Sequence, residues 1–203
     1  MPGARQPRED DLLRRAARGD EEAFLLIYRV HQATLYRFAL RMTGNAWMAE
    51  ELVQEVFLTL LREPGRYDAA RGELGAFLFG IARNHVRKHF ERTPREVPLE
   101  ADGELPAGAK LAVAGSGKGA TNPAAWAEQR QQTEQVRRAV LGLPEEFREA
   151  VVLCDLEELS YEEAARLLEC PLGTVRSRLH RGRALLLAQL EILREPQRKA
   201  VAR

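Results

Sequence analysis

The sequence predicts an all-α fold with two helical domains joined by a flexible linker. Apolar residues recur three and four positions apart along most of the chain, which is the spacing of one face of a helix. No stretch keeps the alternation of a β-strand. Residues 93–122 interrupt the helical pattern with proline, glycine, alanine and serine. We therefore expect a first domain at residues 1–92, a linker at 93–122, a second domain at 123–195 and a basic tail at 196–203.

The composition fits packed domains in a reducing compartment. The 203 residues are 45% hydrophobic, which suffices for buried cores, and 30% charged, yet the formal net charge is only +1. Any nucleic-acid surface must therefore be local and balanced by acidic faces elsewhere. Two cysteines, Cys154 and Cys170, cannot build a disulfide framework. There is no signal-peptide pattern and no apolar run near the ~18 residues that span a membrane, so we expect a cytoplasmic protein without membrane insertion.

The first domain should contain four helices, at residues 10–18, 21–43, 46–62 and 73–92. Gly19 should end the first helix, Asp20 should cap the second, and Gly44 should end the second. The third helix should bury an apolar stripe made of Leu52, Val53, Val56, Phe57 and Leu60. Its opposite face carries Glu50, Glu51, Gln54 and Glu55. Such a face is most often solvated surface, and a docking site for a partner is the alternative.

The fourth predicted helix changes character along its length. Its first half is apolar, and its second half carries Arg83, Asn84, His85, Arg87, Lys88, His89 and Arg92. Two phenylalanines, Phe79 and Phe90, lie among these residues. Basic side chains beside aromatic rings can hold phosphates and stack on unpaired bases. Cations near the C-terminal end of a helix also complement its dipole, so a solvated helix end explains the pattern equally well.

The second domain should contain a helix-turn-helix. Helices are expected over residues 122–141 and from residue 144 onward. Ser160 and Glu163 then form the pattern of a capping box at the start of a short helix. Pro171 suits the first turn of the next helix, which should run to about residue 193.

The second helix of this motif should present a basic outer face. Leu172, Val175 and Leu179 recur at helical spacing and should face inward. The other side carries Arg176, Ser177, His180, Arg181 and, further along, Arg183. This pattern is typical of a recognition helix in the major groove, where Arg176 should read a guanine edge and Arg183 should contact phosphate. An ordinary helical hairpin with a solvated basic face is the alternative.

Patterns that would indicate an enzyme or a metal site are incomplete. Residues 110–119 resemble a phosphate-binding loop, but Ala112 and Gly119 stand where that motif needs glycine and a hydroxyl residue. His85 and His89 have a spacing that can bind zinc, without a third ligand nearby. No nucleophile motif is found. We therefore expect no enzymatic activity, no metal and no cofactor.

Five segments carry a family resemblance. They are DEEAF at 20–24, AEELVQEVF at 49–57, FLFGIARN at 77–84, LPEEFR at 143–148 and CPLGTVRSR at 170–178. The first two resemble the start of region 2 in bacterial RNA polymerase sigma factors of the extracytoplasmic-function (ECF) type, which belong to the sigma-70 family. The third resembles the promoter-melting segment of that family, which usually has tryptophan where this chain has Phe77. The last two resemble its region 4.

This resemblance implies a subunit that binds core RNA polymerase and directs promoter recognition and DNA melting. It implies that docking on the coiled coil of the largest polymerase subunit involves Glu51, Gln54 and Glu55. It implies contacts to the −10 promoter element from Tyr67, Phe77, Arg83, Asn84, Arg87 and Lys88. It implies contacts to the −35 element from Thr174, Arg176, Ser177, Arg178, His180, Arg181 and Arg183. The polymerase flap and an anti-sigma factor are further implied partners.

Two other functions fit parts of the sequence. A stand-alone helix-turn-helix regulator would not need the face with Glu51, Gln54 and Glu55. A sigma mimic that only binds an anti-sigma factor would not need the basic half of the fourth helix.

Overall fold

The computed structural model describes residues 8–92 and 123–201, which form eight α-helices and no β-strand. The chain divides into two compact units, one of Met1–Leu40 with Asn45–Ala101 and the other of Arg41–Gly44 with Asp102–Arg203. This confirms the all-α class and its two helical parts. The predicted linker at 93–122 lies outside the described residues. No helix within the described ranges is both long and apolar enough to cross a membrane.

The first unit contains three whole helices and all but the last three residues of a fourth, α2. They are α1 (Glu9–Ala16), α2 (Glu21–Thr43), α3 (Ala46–Arg62) and α4 (Leu74–Arg92), with a single 3₁₀ turn at Pro64–Arg66. Gly19 and Gly44 follow helix ends with φ angles of +91° and +73°, a left-handed conformation that favours glycine. The Asp20 carboxylate accepts a hydrogen bond from the amide of Ala23, at 3.1 Å. Asp20 and Gly44 therefore begin and end α2 as predicted, whereas α1 already ends at Ala16, three residues before Gly19.

In the first unit, helix α3 packs along α4. Its whole predicted stripe, Leu52, Val53, Val56, Phe57 and Leu60, is buried. Leu74 and Leu78 of α4 are fully buried as well. The Phe38 ring of α2 meets the Phe79 ring of α4 edge-on, with 5.4 Å between centroids. This apolar packing fixes the direction in which the basic half of α4 points.

Helix α8 organises the second unit. The elements are α5 (Pro123–Leu141), α6 (Glu145–Val151), a π-helical segment (Val152–Leu156), α7 (Tyr161–Leu167) and α8 (Leu172–Val201). Helices α5, α6 and α7 all pack against α8. The capping box is confirmed, because the Ser160 hydroxyl accepts from the Glu163 amide at 3.2 Å and the Glu163 carboxylate accepts from the Ser160 amide at 2.9 Å.

Three details differ from the sequence prediction. Helix α1 spans Glu9–Ala16 instead of 10–18. The end of α8 expected at residue 193 is wrong, because the backbone stays helical through Pro196 to Val201. Proline removes one backbone donor, but its fixed φ is itself helical, so it does not by itself stop a helix. The π-helical segment between α6 and α7 was not predicted, since a change in backbone pitch leaves no mark in the apolar spacing.

Candidate nucleic-acid interface

One face of α8 is buried and holds the helix in place. Val175 is 0% exposed and Leu179 is 2% exposed, as their spacing predicts. Gly182, three residues further on, lies against α6: a Cβ at this position would stand 2.8 Å from Cγ2 of Val151 and 3.3 Å from the carbonyl oxygen of Phe147. The two helices can therefore approach this closely only because residue 182 has no side chain.

The opposite face of α8 carries the central members of the predicted −35 set. Arg176, Ser177, His180 and Arg181 are exposed, and Thr174 is half-buried. The Ser177 hydroxyl donates to the Thr174 carbonyl oxygen at 2.9 Å, which satisfies it within its own helix. Arg176, His180 and Arg181 form no ion pair with any described residue. These three side chains are therefore available to an outside ligand.

Two other members of the predicted set are paired with acidic residues of neighbouring elements. Arg183 donates two hydrogen bonds to Asp155 of the π-helical segment, at 2.6 and 3.0 Å. These bonds raise the pKa of Arg183 above its usual value. On the other side, Arg178 lies 3.7 Å from the carboxylate of Glu146 at the start of α6. The structure thus separates a central, unpaired group of basic residues from two paired arginines at the borders.

The predicted −10 residues lie on α4 and in the loop before it. Asn84, Arg87 and Lys88 are exposed, whereas Phe77, Arg83 and Tyr67 are half-buried. Because Phe77, Asn84 and Lys88 are seven and four residues apart, they share one face of α4.

Several groups on this surface already have partners within the first unit. The Tyr67 and Phe77 rings pack together at 5.6 Å, and the Tyr67 hydroxyl donates to the Gly72 carbonyl oxygen at 3.3 Å. Arg87 forms an ion pair with Glu91 at 3.3 Å. The two rings hold the loop before α4 against the first turns of that helix.

The two histidines of α4 contact other residues of the first unit. A hydrogen bond of 3.2 Å joins His85 Nε2 to the Thr59 hydroxyl of α3. Burial lowers the pKa of His85, so the ring stays neutral to a lower pH than in a free chain. His89 contacts the Phe90 ring, with 5.6 Å between centroids. Within residues 8–92 and 123–201, no group of three or more potential metal ligands comes together.

The outer face of α3 contains more than the acidic residues that the sequence singled out. Glu51 and Gln54 are exposed and Glu55 is half-buried. Three large apolar side chains on this helix are also exposed: Trp47 at 68%, Leu58 at 41% and Leu61 at 36%. Positions 47, 51, 54, 58 and 61 are four and three residues apart, so they form one stripe along the helix. Extending the acidic face by the same spacing would have revealed the apolar members.

Two family models match the chain in the order of its two units. Residues 27–96 match the model for Sigma-70 region 2, and residues 133–186 match the model for Sigma-70, region 4. The ECF RNA polymerase sigma factor EcfG of Rhodopseudomonas palustris is 36% identical over 161 residues, which are 78% of this chain and 80% of that protein. The chain belongs to the ECF RNA polymerase sigma factors.

Other similarities agree with this ECF assignment. The sigma factor SigE of Mycolicibacterium smegmatis is 35% identical over 169 residues, which are 79% of this chain and 58% of that protein. The sigma factor RpoE of Bartonella quintana, solved in complex with the anti-sigma factor NepR, shares the fold. That likeness has a TM-score of 0.63 at 24% identity and covers 83% of this chain and 97% of the other. The region 2 match includes most of α2 and all of α3 and α4, and the region 4 match ends within α8.

Proposed function

We propose that this ECF sigma factor binds core RNA polymerase and directs it to promoters whose −35 element is read by α8 and whose −10 element is bound and opened at α4. The observation that carries the proposal is the unpaired basic face of α8. Arg176, His180 and Arg181 project from the side opposite the buried Val175 and Leu179. Membership of the ECF sigma factors supports core RNA polymerase as the partner on which both units act at one promoter.

At the −35 element, the central residues of α8 have the chemistry that base reading needs. An α-helix fits the major groove of duplex DNA, and an arginine there can donate two hydrogen bonds to one guanine. Arg176 is the residue that we assign to this role, because its guanidinium is exposed and forms no ion pair with a described residue. His180 and Arg181 follow it along the same outer side and are assigned to neighbouring bases or phosphates.

At the −10 element, the exposed face of α4 combines an amide, cations and rings. Asn84 offers hydrogen bonds to the edge of an unpaired base, and Arg87 and Lys88 offer charge to the phosphates beside it. Arg83 contributes a further cation. The Tyr67 and Phe77 rings lie next to this face, where stacking on a displaced base would add binding energy on the order of 1–3 kcal/mol.

The stripe along α3 is the surface that we assign to polymerase docking. Glu51, Gln54 and Glu55 supply polar contacts, and Trp47 and Leu58 add exposed apolar area beside them. Exposed apolar side chains among polar ones are typical of protein–protein interfaces. A stand-alone DNA-binding regulator would not need such a stripe. The proposal therefore favours the polymerase subunit over that alternative.

An anti-sigma factor is proposed as a regulatory partner. The support is the similarity in fold to the Bartonella quintana sigma factor that was solved with its anti-sigma factor. The proposed activity consists of binding and promoter opening, with no catalytic group of its own.

Reconstitution with core polymerase tests the docking assignment. The double variant Gln54→Ala, Glu55→Ala should lose most of its co-purification with core enzyme while keeping its helical circular dichroism. The control variant Gln132→Ala, Glu191→Ala likewise removes one glutamine and one glutamate, both of them exposed residues of the second unit, and should bind like the natural chain. Undiminished binding of the first variant would exclude this face as the dock.

Promoter variants test the assignment of base reading. In holoenzyme, Arg176→Ala should flatten the preference at one −35 base pair, by about 1–3 kcal/mol of discrimination. Arg166→Ala removes an exposed arginine from the first helix of the same motif and serves as the control. Transcription from a set of single-base −35 variants measures both. Equal loss on every promoter variant would show that Arg176 contacts the backbone and that another side chain reads the base.

A further inference from the structure

Among the arginines predicted to contact the −35 element, Arg183 is the one that donates two hydrogen bonds to a single carboxylate, that of Asp155. It lies seven residues after Arg176, so the two positions share one side of α8. Their side chains nevertheless behave differently. Arg176 forms no ion pair with a described residue, whereas the Arg183 guanidinium meets Asp155 through its Nε and one Nη, at 3.0 and 2.6 Å.

The neighbours of Arg183 belong to two other elements of the second unit. Asp155 lies in the π-helical segment that leads into the helix-turn-helix. Tyr161, the first residue of α7, lies close enough to contribute to the raised pKa of Arg183. One guanidinium therefore joins α8 to the segment before α7 and lies beside the start of α7. A planar group with fixed donors suits such a joint, because each bond restricts its orientation.

The paired state of Arg183 argues against a contact with the DNA backbone. Asp155 already balances its charge and occupies two of the five N–H donors of the guanidinium, through hydrogen bonds of 3.0 and 2.6 Å. A phosphate would therefore meet a neutralised guanidinium beside a carboxylate that repels it. Arg176, His180 and Arg181 have no carboxylate bound to them among the described residues.

We infer that Arg183 is a positioning residue, which sets the direction of the recognition helix relative to α7 and leaves phosphate binding to the central residues of α8. The inference rests on the proposed reading of −35 DNA by α8. It replaces the phosphate contact that the sequence alone suggested for this arginine.

A single alanine variant does not distinguish a role of Arg183 in positioning α8 from a role in binding phosphate. Arg183→Ala removes the joint, and it also leaves Asp155 free to repel phosphate, so DNA binding weakens under either explanation. Exchanging the two charges separates them. In the variant Asp155→Arg, Arg183→Asp the ion pair is kept with reversed polarity, while the positive charge leaves α8.

The charge exchange has opposite outcomes under the two explanations. If Arg183 positions α8, the exchanged variant should recover most of the transcription that Arg183→Asp alone loses, and the salt dependence of promoter binding should stay that of the natural holoenzyme. If Arg183 binds phosphate, the exchanged variant should remain as inactive as Arg183→Asp. Its salt dependence should then fall by about one phosphate contact. That second result would overturn the inference.

A conservative substitution gives an independent readout. Lysine keeps the charge of arginine but has no planar pair of donors. Arg183→Lys should therefore lower the protection of the α8 amides against hydrogen exchange by up to about fivefold, although a lysine would serve a phosphate well. Full protection together with full transcription in Arg183→Lys would contradict the positioning role.

Hydrogen exchange in the full chain tests the joint without DNA or polymerase. In a double-mutant cycle of Asp155→Ala and Arg183→Ala, the opening equilibrium of α8 should show a coupling of about fivefold, at the upper end for a partly exposed pair. Additive effects would remove the structural basis of the inference. If the cycle shows coupling but the natural chain supports no −35-dependent transcription, the proposed function fails and the joint between α8 and α7 stands.

Discussion

Helices α4 and α8 both carry basic faces, α4 in its second half and α8 in its first turns, but the side chains on the two faces are paired differently. On α8 the central cations have no partner among the described residues, because two border arginines, Arg178 and Arg183, take up the nearby carboxylates. On α4, groups of the basic face and the rings beside it have partners on that same surface. Arg87 pairs with Glu91 one turn away, and the rings next to the face pack on each other.

The difference matches the two forms of DNA in the proposed function. A duplex offers a groove of fixed shape, so a rigid helix with free cations can enter it without rearrangement. An unpaired strand is flexible, and its bases bind in pockets and on aromatic rings. A ring that already packs on another ring must give up part of that contact before a base can stack on it. The α8 face is therefore ready to bind as it stands, whereas the α4 face must give up contacts of its own.

The close packing of α8 on α6 at Gly182 is the contact whose loss should most strongly disturb the position of the basic face of α8. Gly182→Ala would place a methyl group 2.8 Å from a methyl of the buried Val151 and 3.3 Å from a backbone carbonyl oxygen. Neither neighbour moves freely, so we expect a loss of about 1–3 kcal/mol in the stability of the second unit. Thermal unfolding measures this loss.

The matched control lies on the same helix. A Cβ on Gly173 would meet no atom within 4 Å. Gly173→Ala should therefore leave stability unchanged or raise it slightly, because alanine favours the helix over glycine. Equal effects of the two substitutions would show that helix propensity and not the α6–α8 approach governs this region.

Two helix caps, one in each unit, give effects of intermediate size. The Asn45 side chain accepts from the Met48 amide at 3.1 Å and begins α3, and Ser160 begins α7. Asn45→Ala and Ser160→Ala should each cost about 1 kcal/mol. Hydrogen exchange should rise in α3 for the first variant and in α7 for the second. Asn45→Asp and Ser160→Asp keep a capping oxygen and should show neither change.

The smallest expected effect is a pH dependence confined to the first unit. Burial lowers the pKa of His85 below the ordinary value of 6.5. The unfolded chain therefore takes up a proton that the folded unit resists, and stability should fall as the pH drops below about 6.5. His85→Gln should remove this fall, and His89→Gln, which leaves the His85–Thr59 hydrogen bond in place, should keep it. Denaturation at pH 7.5 and 5.5 compares the variants, and an unchanged slope in His85→Gln would refute the assignment.

Sequence spacing was sufficient for the features that depend on one helix at a time. The burial of Val175 and Leu179 and the positive φ of Gly19 and Gly44 follow from periodicity and backbone preference. The joint between Asp155 and Arg183 did not follow, because its members are 28 residues apart and belong to different elements.

The apolar part of the α3 stripe also escaped the sequence reading. Leu58 and Leu61 stand beside the buried stripe in the sequence, and an apolar residue at such a position looks like part of the core. Their spacing from Gln54, four and seven residues, also places them on the acidic face, and the structure shows that both are exposed. Exposed apolar residues are common enough on protein surfaces that composition does not single them out.

The close approach at Gly182 also controls the tilt of α8 against α6. In the stretch from Leu172 to Ile192, Gly182 lies ten residues from each of those two positions, so each half is about 15 Å long. A tilt of about 10° about Gly182 would move Leu172 and Ile192 by about 2.6 Å in opposite directions, which approaches the ~3.4 Å spacing of stacked base pairs. In the proposed complex with duplex DNA, the closeness of Gly182 to Val151 would therefore set the register in which the helix meets the bases.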